Sequence, residues 1–147
     1  MKKIAVIILN WNGADLLRKF LPSVCAHTNA HIADVIVVDN GSDDNSVEVL
    51  KQEFPQVKTL LFPQNCGFAA GYNKALEMLD YKYAVLLNSD VETTPHWLEP
   101  LLEFAEDNPD VAACQPKIKS LRRREKFEYA GAAGGFIDRY GYPFCRG

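Results

Sequence analysis

Every residue from position 4 to position 9 is apolar, and the same unbroken apolarity returns at 35–38, 83–87 and 111–114. A fifth run, 57–62, is interrupted only by Lys58 and Thr59. A strand with one wet face alternates apolar and polar residues, so runs without alternation imply strands buried on both faces. Between the runs the apolar residues fall three and four apart: Leu16, Leu17, Phe20, Leu21 and Val24; Val47, Leu50 and Phe54; Phe68, Tyr72, Ala75, Leu76 and Leu79; Leu98, Leu101, Leu102 and Ala105. Strand and helix in alternation predict an α/β chain with a mostly parallel sheet flanked by helices. At 147 residues and 48% hydrophobic content the chain is long enough for one domain with its own core.

Local signals refine the boundaries. Thr94 before Pro95 reads as an N-cap followed by a first helical residue, and Ser42-Asp43-Asp44 reads as the cap of the second helix. Pro22 and Pro100 fall inside two helical patterns, where each should end, shift or kink its helix. From Lys117 the texture changes to a basic run, Lys117, Lys119, Arg122, Arg123, Arg124 and Lys126, followed by a glycine-rich stretch at 131–135.

A net charge of -3 gives no global attraction to nucleic acid or to an anionic membrane, so any basic partner surface must be local. Cys25, Cys66, Cys114 and Cys145 show neither a C-x-x-C spacing nor a matching histidine pair and read as reduced, mostly buried thiols. His27, His31 and His96 have no spacing that suggests a metal site. The apolar run behind Met1-Lys2-Lys3 is too short to span a membrane, which points to a cytoplasmic chain.

In an open α/β sheet ligands bind beyond the carboxyl ends of the strands. Here those ends carry Asn10-Trp11-Asn12-Gly13, Asp39-Asn40-Gly41-Ser42 and Asn88-Ser89-Asp90-Val91-Glu92, while the loop after the third run carries Asn65-Cys66-Gly67-Phe68. Each has a plainer reading. Asn-Gly and Asp-Asn-Gly are turn formers anywhere. Gly67 and Gly71 serve equally well as packing or turn glycines, and their spacing is not the G-x-G-x-x-G of a dinucleotide fold. Asp90 suits a helix cap as well as a hard divalent ion. Trp11 suits the core as well as a ring that covers a base or sugar.

The four stretches 6–13, 37–44, 65–73 and 87–92, in this order and spacing, resemble the inverting family 2 glycosyltransferases, particularly their rhamnosyltransferase-like branch. The resemblance implies a GT-A-like, Rossmann-like fold. It implies a nucleotide-sugar-binding half at 1–117 and, at 118–147, the incomplete start of an acceptor-side region, since members of the family run considerably longer. It also implies that Asn10, Trp11, Asn12 and Asp39 hold the nucleoside, the Asp39 carboxylate accepting from the base, and that Gly67, Gly71 and Asn73 shape the loop and helix start beside it.

In the family's D-x-D motif the matching positions are Asn88, Ser89 and Asp90. Asp90 is thus implied as the ligand of a magnesium or manganese ion on the donor diphosphate, with Asn88 in place of the first carboxylate. Such an ion stabilises the charge that grows on the leaving diphosphate. Inverting transfer further needs a general base for the acceptor hydroxyl. Glu125, Glu128 and Asp138 are the acids after Lys117, and none stands in a matching motif, so no catalytic residue is expected in this chain.

The implied partners are a nucleotide-diphosphate sugar and a polysaccharide or lipid-linked glycan acceptor, not nucleic acid. The basic run leaves room for a peripheral contact at the inner membrane face, and apolar surface left uncovered leaves room for a homodimer. A non-catalytic nucleotide-binding module, or a degenerate relative of the family, is the alternative. A nucleotidyltransferase would instead need a basic phosphate-gripping residue in the first loop, and residues 10–13 supply none.

Overall fold

The first apolar run forms the centre of the sheet. In a computed structural model, which describes residues 2–128 and 135–145, β1 (Ile4–Asn10) is buried at every position but Leu9. It is followed by α1 (Ala14–His27), β2 (Ala33–Asp39), α2 (Ser46–Glu53), β3 (Lys58–Leu61), α3 (Phe68–Glu77) and β4 (Tyr83–Leu87). All four strands are parallel, in the order β3-β2-β1-β4. These elements lie in one compact unit, Met1–Leu98; a second unit, Glu99–Gly147, contains α4 (Glu99–Asp107) and an antiparallel pair, β5 (Gly135–Ile137) and β6 (Pro143–Cys145).

α1 and α3 bury most of the face that their periodicity marks, whereas α4 buries none of its residues. From α1, Leu17, Phe20, Leu21 and Val24 are buried. From α3, Tyr72 and Ala75 pack with Ala5, Ile7, Ile36, Val38 and Phe62. Each large apolar side chain so buried contributes about 1.5–3 kcal/mol. That magnitude explains why Pro22 does not end α1: a proline inside a helix costs about 3 kcal/mol, less than the four burials around it supply together.

Pro100 does shift its helix. It is the second residue of α4, where a missing N–H costs nothing. Thr94 is therefore not an N-cap; Pro95 and His96 form a turn, with His96 at φ 57°, and the helix starts later. The expected strand at 111–114 does not form either, and its four residues are exposed. Strand propensity is realised only against a pairing partner, and this segment has none among the described residues. Cys25 and Cys66 are half-buried and Cys114 is exposed, so the cysteines are not the buried set expected. The side chain of Cys145 and the glycine-rich stretch 131–134 lie outside the described residues.

The amino ends of the strands are locked by charge. Asp34 accepts from Lys2 Nζ at 2.6 Å, from Lys58 Nζ at 2.8 Å and from the Tyr81 hydroxyl at 2.7 Å. Partial burial pushes its carboxyl up, but these three donors outweigh that and hold it well below the usual carboxylate range.

Candidate functional site

The chain steps outward from β1 to β2 to β3, and then α3 carries it back to β4 on the far side of β1. The reversal makes the carboxyl ends of β1 and β4 a topological switch point, where neighbouring loops part and leave a crevice. A cleft of about 350 Å³ lies there, within the size range of small-molecule sites. Leu9 and Trp11 line it from β1, Leu16 from α1 and Asn40 from the end of β2. Asn65, Gly67 and Phe68 line it from the connection into α3, and Asn88, Ser89 and Asp90 from the end of β4.

Trp11 is 56% exposed and Phe68 67% exposed, so two aromatic rings of the cleft are left to solvent. Phe68 is not loose: its ring meets Tyr72, one turn on, edge to face at 5.1 Å. Tyr72 in turn is buried, and its hydroxyl donates to the Leu87 carbonyl at 3.0 Å, tying α3 to the last residue of β4. Burial pushes the Tyr72 phenol up, which keeps it the proton donor.

Beneath the cleft the ends of β1 and β2 share a buried polar cluster. Asn10 and Asp39 are 1% and 2% exposed. Asn10 Nδ2 donates to Asp39 Oδ2 at 3.0 Å, Ser42 N–H to Asp39 Oδ1 at 2.9 Å and Ser42 Oγ to Asp39 Oδ2 at 2.7 Å. The Ser42 hydroxyl also accepts from Asn12 N–H at 2.9 Å, and Asn12 Oδ1 accepts from Asp43 N–H at 2.8 Å. Asn12 holds a left-handed conformation at φ 50°, which asparagine tolerates better than most residues.

Asp44 extends the cluster to two helix starts at once. Its Oδ1 accepts from Ser46 N–H at 2.9 Å and its Oδ2 from Ala14 N–H at 3.0 Å. Burial raises its carboxyl, but these donors outweigh the effect and hold it below its ordinary value. Asp44 thus satisfies a donor of α1 from thirty residues away in sequence, as well as the first N–H of its own helix.

The residues expected from sequence therefore fall into three places. Trp11, Gly67, Asn88, Ser89 and Asp90 line the cleft. Asn10 and Asp39 form the buried polar cluster, which the exposed Asn12 joins through Ser42. Gly71 is buried where α3 crosses β1, and a Cβ there would come within 2.9 Å of the Leu9 side chain. Asn73 is exposed on α3 and is not part of the cleft lining. Asn40, Asn65 and Phe68 stand in the strand-end loops that the sequence places at the binding edge but are not assigned to the site there, and Leu9 and Leu16 read only as strand and helix-face residues.

No group of three or more histidine, cysteine, aspartate or glutamate side chains gathers among the described residues. Asp90 is exposed in the cleft beside Asn88 and Ser89. One carboxylate with neutral oxygen donors is too few for a caged ion, but it matches a magnesium-like ion that keeps water and phosphate oxygens as its other ligands.

Residues 5–141 match the family described as Glycosyl transferase family 2. The chain belongs to that family. A curated relative, the uncharacterized glycosyltransferase YibD of Escherichia coli, is 34% identical over 116 residues, covering 76% of this chain and 33% of the relative. The N-acetylglucosaminyl-diphospho-decaprenol L-rhamnosyltransferase of Mycobacterium tuberculosis is 24% identical over 127 residues, covering 79% of this chain and 41% of the relative. This family 2 chain thus spans about a third of the length of the first of these relatives and two fifths of the second.

The crystal structure of S. aureus TarS 1-349 in complex with UDP-GlcNAc superposes with a TM-score of 0.65 at 18% identity, covering 80% of this chain and 38% of that one. The fold is accordingly of the GT-A type, a mostly parallel sheet flanked by helices. Family 2 enzymes commonly use a divalent metal. Among the described residues no helix is long and apolar enough to cross a membrane.

Proposed function

We propose that the cleft between the ends of β1 and β4 binds a nucleotide-diphosphate sugar, the donor for inverting transfer to a polysaccharide or lipid-linked glycan acceptor. The observation that carries this reading is the convergence on one switch-point cleft of an exposed tryptophan, neutral amides from the strand ends and the carboxylate of Asp90. The planar and polar parts of one ligand find matching groups there, and a divalent ion held by Asp90 would match its anionic part. The TarS complex, with its UDP-GlcNAc, supports the same reading for this fold.

In this reading residues 1–117 are the donor-binding half. Trp11 covers the base or sugar, and Asn88, Ser89 and Gly67 contact the nucleotide sugar. Asn10, Asn12 and Asp39 hold the nucleoside end of the site, with Gly71 and Asn73 shaping α3 beside it. Asp90 would hold a magnesium or manganese ion, whose chemistry would be charge stabilisation of the diphosphate leaving group. No residue of the chain is assigned as the general base.

Residues 118–128 fold back on themselves, Ser120 N–H donating to the Lys126 carbonyl at 2.9 Å and Glu128 N–H to the Ile118 carbonyl at 3.2 Å. This places the basic run beside Ile118 and Leu121, 45% and 40% exposed. Cations next to exposed aliphatics suit a peripheral contact with an anionic membrane face, where a lipid-linked acceptor resides.

Calorimetric titration with UDP, dTDP and GDP tests the donor site. One of the three should bind, and Trp11→Ala should weaken it about fivefold, the equivalent of about 1 kcal/mol of lost ring contact. Equal affinity in the variant would remove Trp11 from the site.

A further inference from the structure

Asn40 is 2% exposed, and its side chain joins no member of the Asp39 cluster. It reaches instead across to the connection between β3 and α3. Its Oδ1 accepts from Cys66 N–H at 3.0 Å, while its Nδ2 donates to Asn65 Oδ1 at 3.0 Å and to the Gly67 carbonyl at 3.2 Å. Asn65 Oδ1 also accepts from Gly67 N–H at 2.7 Å. One buried amide therefore clasps three consecutive residues, two of which, with Phe68, wall the cleft.

We propose that Asn40 is a positioning residue for the donor site, and that its neutral amide, donor and acceptor at once, sets the wall formed by Asn65, Gly67 and Phe68. The proposal rests on the donor-binding reading above. It has a specific chemical demand. A carboxylate at position 40 still accepts from Cys66 N–H, but it faces the Gly67 carbonyl and Asn65 Oδ1 with no proton to give. Asn65 cannot turn its amide to compensate, because its Oδ1 already serves Gly67 N–H and the turned NH₂ would oppose that donor. Nearly isosteric replacement of Asn40 by Asp therefore opens the wall, and protonating the new carboxyl restores one donor. Burial raises the pKa of such a carboxyl, so the restoration falls in mildly acidic solution.

The test compares wild type, Asn40→Asp and Asn65→Ala by residue-resolved amide exchange without nucleotide, then by titration with UDP, dTDP and GDP, at about pH 7.5 and about pH 5. In Asn40→Asp, protection of the Gly67 amide should fall about tenfold at the higher pH and recover at the lower, with β1 and β2 amides unchanged. Nucleotide affinity relative to wild type should follow the same course. Asn65 is exposed, so Asn65→Ala leaves the core untouched; it should loosen Gly67 at both pH values. Unchanged protection in both variants, or a loss in Asn40→Asp that acid does not reverse, would overturn the proposal. If the exchange results hold while the wild type binds none of the three nucleotides, the clasp stands and the donor reading fails.

Discussion

The Tyr72 hydroxyl donates to the Leu87 carbonyl at 3.0 Å, joining α3 to the end of the strand that leads into Asn88, Ser89 and Asp90 of the cleft. Tyr72→Phe keeps the ring and its contact with Phe68 but leaves a buried carbonyl without that donor. The cost should be about 1 kcal/mol, read from urea unfolding. A nucleotide that uses the 88–90 loop should bind more weakly as well, while one that does not will show only the stability change.

Two glycines with positive φ should respond differently to alanine. Gly41 is at φ 73°, and a Cβ there would come within 2.5 Å of the Gln64 backbone. Gly67 is at φ 83° with open space around the missing Cβ. Gly67, at ψ 175°, occupies an extended positive-φ region that is essentially reserved for glycine, so Gly67→Ala should cost about 1–3 kcal/mol in backbone strain alone. Gly41→Ala combines positive-φ strain with a backbone clash and should be worse, a ranking that thermal unfolding of the two variants checks.

Stability should fall in acid in a way that Asp34 dominates. Its folded carboxyl lies below the unfolded value of about 3.9. The ionised form is therefore favoured by folding: the stabilisation is complete above that unfolded value and is lost as pH drops through it toward the folded one. Asp34→Asn should be less stable than wild type at neutral pH and should lose less on acidification, as followed by urea midpoints from about pH 6 to about pH 2. Parallel curves for the two proteins would exclude Asp34 as the source.

The basic fold-back at 118–128 should bring the protein to anionic vesicles. Flotation with phosphatidylglycerol-containing vesicles, against pure phosphatidylcholine, should show binding that salt weakens and that Arg122→Glu with Arg123→Glu abolishes. Binding that is indifferent to lipid charge would contradict this contact.

How much of this was legible in the sequence depends on the range of the interaction. β1 and β2 were legible because burial on both faces leaves an unbroken apolar run, as in Ile4 to Leu9, whereas β4 carries the same apolarity with one face open, Leu86 being 53% exposed, and β3 is largely exposed, so two-face burial does not hold for those two strands. The 111–114 run looks the same but lacks a pairing partner among the described residues, and composition does not reveal partners. The start of α4 was misplaced because Thr94-Pro95 satisfies the local rules for a cap, while the His96 turn is a backbone conformation that no propensity favours. Within the site, the residues after each strand were legible from position alone. The bonds that Asn40 and Asp44 make were not, because their partners Cys66 and Ala14 are distant in sequence, and in sequence both look like ordinary turn or cap residues.

The central claim is that the cleft holds a nucleotide-diphosphate donor whose phosphates share an ion with Asp90. Calorimetric titration of UDP, dTDP and GDP into wild type and Asp90→Ala, each with and without manganese, tests it most directly. One nucleotide should bind the wild type, more tightly with manganese than without, and Asp90→Ala should abolish the manganese dependence while retaining weak metal-free binding. Binding of none of the three to the wild type, or a manganese effect of equal size in Asp90→Ala, would contradict it.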